Sequence, residues 1–135
     1  MTKGVMLMNS TQEKNLEVRR VYNEHLGASV VKALEANGFK ASYAPTAEEA
    51  VEKVLALIPE GSTVGVPGSS TIRELGLFEA LRGRGCKIFE HWDPALAPED
   101  KPQRLEDENT SGIYLSSSNG VTLDGKLVNI DGTGN

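Results

Sequence analysis

Two stretches of this chain combine glycine, hydroxyl, amide and carboxylate residues in an order suited to holding an anion. The first is VGVPGSSTIRE, residues 64–74. An apolar strand runs into Gly65, Pro67 and Gly68, continues through Ser69-Ser70-Thr71, and then enters a helix. Glycine lets a ligand approach the backbone, unpaired N–H groups and the dipole at a helix start favour negative charge, and the hydroxyls add donors. The same residues also read as simple punctuation: Thr71 and Glu74 are spaced as a capping box, and hydroxyls at helix starts commonly only cap. The stretch is no P-loop, because no Gly-Lys-Ser/Thr follows, and its glycines are spaced G-x-x-G rather than G-x-G-x-x-G. Glu90, ending the next strand, stands where an acid takes a ribose hydroxyl in dinucleotide-binding folds, which keeps that reading open. Arg73, early in the helix, reads as a helix former before it reads as a phosphate clamp.

The second stretch is SSSNGVTLDGKLVNIDGTGN, residues 116–135. Asn119-Gly120 and Asp124-Gly125 are hairpin-turn signals. Asn119 also follows the apolar strand GIYL directly, and in open α/β sheets ligands bind at the carboxyl ends of strands. Asp131, Gly132 and Thr133 follow LVNI and can reach the same crevice. These placements predict that Asp131-Gly132-Thr133 faces Ser69-Ser70-Thr71 with Asn119 between them. His91, after CKIFE, and Trp92 read first as packing residues, and the charged run from Glu99 to Glu108 reads as a solvated face.

Elements must exist to deliver those loops. Ser10 and Glu13 are spaced as a capping box, and Val18, Tyr22, Leu26, Val30 and Leu34 then mark one face of a long helix ended by Asn37-Gly38. FKASYA reads as a strand. Thr46 and Glu49 open a second helix whose buried face is Ala50, Val51, Val54, Leu55 and Ile58. STVGVP is a strand, STIRELGLFEALRGRG a helix and CKIFEH a strand. A proline-bearing crossover follows, with a helix around Gln103 to Glu108, and then the strands GIYLSSS and LVNI. The alternation predicts an α/β fold, a three-layer domain with a mainly parallel sheet.

Composition bounds the function. The 135 residues suit one domain, with 39% apolar and 24% charged residues of both signs intermixed. The net charge of −5 argues against a nucleic-acid surface, which wants clustered Lys and Arg. No apolar run approaches a membrane span, and the short GVMLM run after Met1 lacks a small-residue cleavage site, so neither a secretory leader nor a location outside the cytoplasm is expected. The single Cys86 reads as a core residue and excludes an internal disulfide. Cys86 with His25 and His91 is too few ligands for zinc or an iron–sulfur cluster, so no metal and no cofactor is expected in this chain.

Taken together, GVPGSSTIRELGL, IYLSSS and NGVTLDGKLVNIDGTGN resemble the LUD domain of lactate-utilization protein C and its relatives. The T-x-x-G-x-L-V-N-x-D-G-x-G-N pattern from Thr122 to Asn135 is the specific part. The resemblance implies a fold like that of ribose-5-phosphate isomerase, glucosamine-6-phosphate deaminase and the coenzyme A transferases. It maps a ligand-binding loop onto Gly68, Ser69, Ser70 and Thr71, and a facing segment onto Asn129, Asp131, Gly132 and Thr133. Asn119 falls where several enzymes of that superfamily keep a catalytic Asp, and an amide is no carboxylate base. Family members continue beyond the equivalent of Asn135, so residues 1–135 are expected to be the first part of one such domain, with an open sheet edge that favours self-association. The implied role is in lactate oxidation to pyruvate, beside an iron–sulfur subunit that carries the clusters, with a crevice for a small anionic ligand. The alternatives are an independent enzyme on sugar phosphates or coenzyme A thioesters, and a dinucleotide-binding module.

Overall fold

In the computed structural model, residues 10–130 and Gly132 are described. They belong to two compact units, Met1–Pro45 with Val121–Lys126, and Thr46–Gly120 with Leu127–Asn135.

The first unit is dominated by helix α1 (Ser10–Ala36). Gly38, at φ 89°, takes the left-handed stop that the sequence predicts, and Phe39 N–H donates back to the Leu34 carbonyl at 3.1 Å. The expected apolar face is only half used. Val18 and Tyr22 are exposed, whereas Leu26, Val30 and Leu34 are partly covered and share a shallow groove with Tyr43. FKASYA forms no strand. A strand needs a ladder partner, and this segment packs by side chain instead: a Cβ at Gly27 would come within 2.4 Å of the Tyr43 ring. The turn at 122–126 is also held to α1. Asn37 Nδ2 donates to the carbonyls of Asp124 and Gly125, both at 2.9 Å. Gly125 has φ 78°, and a Cβ there would lie 2.4 Å from the Ala33 carbonyl carbon, so both conformation and space require glycine.

The second unit carries the sheet. Helix α2 (Ala47–Leu57) starts where the capping box predicts, with the Thr46 hydroxyl accepting from Glu49 N–H at 3.2 Å. Strand β1 (Thr63–Gly65) leads through a loop to α3 (Ser70–Glu74) and α4 (Leu77–Gly83), then β2 (Lys87–Phe89). The expected single helix over this stretch is two helices. Gly76 adopts φ 68° and its N–H donates to the Arg73 carbonyl at 2.9 Å, which closes α3 before α4 begins. Helix α5 (Lys101–Asn109) and β3 (Ile113–Tyr114) follow, and the short strands β4 (Gly120–Val121) and β5 (Leu127–Val128) lie outside the main sheet.

That sheet is parallel with order β2-β1-β3, Val64 standing beside Ile88 on one side and Ile113 on the other. Its alternation builds layers. Gly65 faces α5 so closely that a Cβ would meet the Glu108 carbonyl oxygen at 2.1 Å. Val64 and Val66 therefore point to the opposite face, and both are completely buried with Ile72, Leu77, Phe78 and Leu81 of α3 and α4. Each such side chain contributes about 1.5–3 kcal/mol by leaving water. Cys86 lies in the same core, as its sequence position suggests. The unit is thus the expected α/β sandwich, with helices on both faces of a parallel sheet. No described helix is long and apolar enough to cross a membrane.

Candidate functional site

Three parallel strands deliver their carboxyl ends to one edge. Val66-Pro67-Gly68 leaves β1, Glu90-His91-Trp92 leaves β2, and Leu115-Ser116-Ser117 leaves β3. The chain goes from β1 to β2 on one side and returns to β3 on the other, so β1 is the switch point where such sheets open a crevice. A crevice of about 1020 Å3 lies there, entirely within the second unit.

The structure brings most of the sequence-derived residues to that crevice. Gly68, Ser69, Ser70 and Thr71 form one wall. Asn119, Asn129 and Gly132 line it from the other segment. Asp131 and Thr133 lie outside the described residues. The two walls are tied by side chains: Ser69 Oγ and Ser117 Oγ are 2.8 Å apart, and Asn119 Oδ1 accepts from Ile130 N–H at 2.8 Å. Asn119 therefore spends its carbonyl on the loop that follows β5 and keeps its NH2 group.

Three expectations need correction. Leu127–Val128 is not a strand of the parallel sheet, so the segment after it reaches the crevice without the parallel delivery that the sequence argument assumed. The cap of α3 is Ser69, whose Oγ accepts from Ile72 N–H at 3.3 Å, rather than Thr71. Both hydroxyls have the spacing for it, and the earlier one wins because Ser69 is the last residue with an extended backbone, at φ −80° and ψ 120°. Helix α3 is also only five residues long, which leaves little dipole, so an anion at this wall would depend on hydroxyl and backbone N–H donors instead. Finally, Glu90 is unavailable to a ribose. It is 6% exposed and ion-paired with Arg73, whose guanidinium also lies 5.3 Å from the Phe78 ring centroid. That pairing removes the dinucleotide argument from Glu90, and it turns Arg73 away from the role of ligand clamp.

Behind the crevice is an arrangement that sequence reasoning missed. Glu108, placed by its charged neighbours on a solvated face, is fully buried. Its Oε2 accepts from His91 N–H at 3.1 Å and lies 2.7 Å from His91 Nδ1, while Oε1 has no hydrogen-bond partner among the described residues. A carboxylate there fixes the imidazole's orientation and tautomer. The His91 ring is 5.1 Å from the Trp92 ring, and Trp92 lines the crevice. The one available signal was His91 at a strand's end, in want of a partner 17 residues away.

No charged side chain is among the described residues lining the crevice. Seryl and threonyl hydroxyls, two amides and two aromatic rings surround it, an array that donates and accepts hydrogen bonds without supplying a formal charge. Among the described residues no group of three or more His, Cys, Asp or Glu is placed to hold a metal ion. A family model described as the LUD domain matches residues 28–135, which spans the whole crevice. No curated protein and no solved structure gives a match.

Proposed function

From the premise that this chain belongs to the LUD domain family, we propose that it serves the oxidation of lactate to pyruvate as the partner of an iron–sulfur subunit, with its crevice taking a small anionic ligand. Family membership supports the lactate-utilization setting. The observation that carries the site is the junction of Ser69-Ser70-Thr71 and Asn119 at the carboxyl ends of β1 and β3. Hydroxyl and N–H donors there can hold a carboxylate or phosphoryl group without a lysine or arginine. Among the described residues this wall offers an amide at Asn119 and no carboxylate base, and in this reading the chain holds the ligand while the partner's clusters take the electrons.

Lactate-dependent reduction of an acceptor dye by the iron–sulfur subunit, measured with and without this chain, tests the proposal. The chain should raise the rate, and Ser70→Ala should weaken use of the anion by about 1–2 kcal/mol, the scale of one hydrogen bond to a charged group. Equal rates with and without the chain would overturn the role.

A further inference from the structure

Trp92 is the chain's one tryptophan, and its position is built rather than incidental. The indole lies on the backbone of Gly68, where a Cβ would come within 2.4 Å of Cδ1 and 2.6 Å of Nε1. Gly68 has φ 64°, so the loop already favours glycine at the one place where the ring needs it. Trp92 also meets the His91 ring at an interplanar angle of 43°, and His91 is anchored twice to the buried Glu108. Yet Trp92 itself remains 54% exposed. A tryptophan that served packing alone would hide its area, because burial is what the ring offers a core. Here Gly68 and His91 hold the ring, and about half of its surface stays exposed where it lines the crevice.

The crevice also outsizes a small acid. At about 1020 Å3 it stands at the upper end of the volumes that hold cofactor-sized ligands. Tyr114 adds a second aromatic wall, and the hydroxyls of Ser70, Thr71 and Ser116 with the Asn129 amide offer partners for several ligand hydroxyls. A flat ring, a hydroxyl-bearing middle and an anionic end together describe a nucleotide.

We propose that Trp92 is a stacking platform for the base of a nucleotide whose phosphate lies at the Ser69-Ser70-Thr71 turn. This rests on the reading of the crevice as an anion site and names the larger molecule that carries the anion. Stacking between a base and an aromatic side chain is sequence-tolerant, because every base has a flat π face.

The test uses the purified chain alone, without an iron–sulfur partner, and two probes that differ only by the base: AMP and ribose 5-phosphate. In calorimetric titration AMP should bind at least about tenfold more tightly, the scale of one stacked base, and should change the emission of Trp92. Trp92→Ala should erase the difference between the probes, and Trp92→Phe should restore part of it. Ser70→Ala should weaken both probes alike. Equal affinity for the two probes, or a preference for AMP that survives Trp92→Ala, would overturn the platform while leaving the anion site standing. A preference for AMP that needs Trp92 but ignores Ser70→Ala would keep the platform and remove the anion site. Failure of both probes to bind would overturn both.

Discussion

Helix α1 and the sheet-bearing unit are built on opposite economies of burial. Along 27 residues α1 has no buried side chain, and its most evident interactions are local: Arg20 pairs with Glu17 at 2.7 Å and with Glu24 at 2.8 Å. These are exposed i,i+3 and i,i+4 pairs, which support a helix weakly and fade with salt. The unit around β1 spends few residues on local pairing and buries Val64, Val66, Leu77 and Leu81 almost completely. An apolar repeat therefore marks a face available for covering, and only an opposing layer makes it a core. The same difference bears on the site, because a crevice needs walls that hold still, and its walls are rooted in the buried unit.

The comparison is most directly broken by removing equivalent apolar groups from the two regions. Leu81→Ala, at a wholly buried position, should cost about 2–5 kcal/mol. Val18→Ala, 68% exposed on α1, should stay within about 0.5 kcal/mol. Urea unfolding curves for the two variants check both values, and similar costs would mean that α1 is covered in solution. A smaller loss is expected at the other face of the sheet. Gly65→Ala forces a methyl group against the Glu108 backbone and should cost about 1–3 kcal/mol by overpacking. Since the displaced residue anchors His91, this variant should also shift the fluorescence of Trp92, which Leu81→Ala should leave closer to normal.

The smallest effect lies in the first unit. The Lys126 ammonium, and then the Thr122 hydroxyl, hydrogen-bond to Asp124 and hold its carboxyl below the ordinary aspartate value. A depressed folded value means that this contribution is present above the ordinary value and is lost as pH falls through the folded one. The group is exposed, so the effect on stability should be slight and should shrink further in salt. Acid titration followed by NMR should show the Thr122 and Lys126 amide signals moving below the ordinary aspartate range. Asp124→Asn should abolish the movement.

What was legible in the sequence was whatever is decided locally. The Thr46 cap, the Gly38 stop and the short apolar runs of β1, β2 and β3 depend on neighbours within a few residues, and all were readable. So was the placement of Gly68 to Thr71 and Asn119 along one crevice, because a loop after a parallel strand must open at the strand's carboxyl end. FKASYA was misread because strand character needs a second strand, and no local pattern supplies one. The break at Gly76 hid inside a helical repeat that continues in register through it. Glu108 was the hardest, since its neighbours are all solvated and only a histidine on another element explains its burial. The Arg73–Glu90 pair was hidden in the same way, and with it went the one sequence argument for a ribose-binding acid.

The hydroxyl pair that joins the crevice walls has a property of its own. Ser69 Oγ already accepts from Ile72 N–H, and it shares one hydrogen with Ser117 Oγ across 2.8 Å, with either oxygen able to donate. When Ser69 donates, the hydrogen of Ser117 is released toward whatever enters the crevice. When Ser117 donates, it turns a lone pair to the newcomer instead. A rotation of two O–H bonds, with no movement of any heavier atom, thus reverses the polarity that this point of the wall presents. The seam that holds the site together is also a reversible contact, ready to meet an acceptor or a donor with the same two atoms.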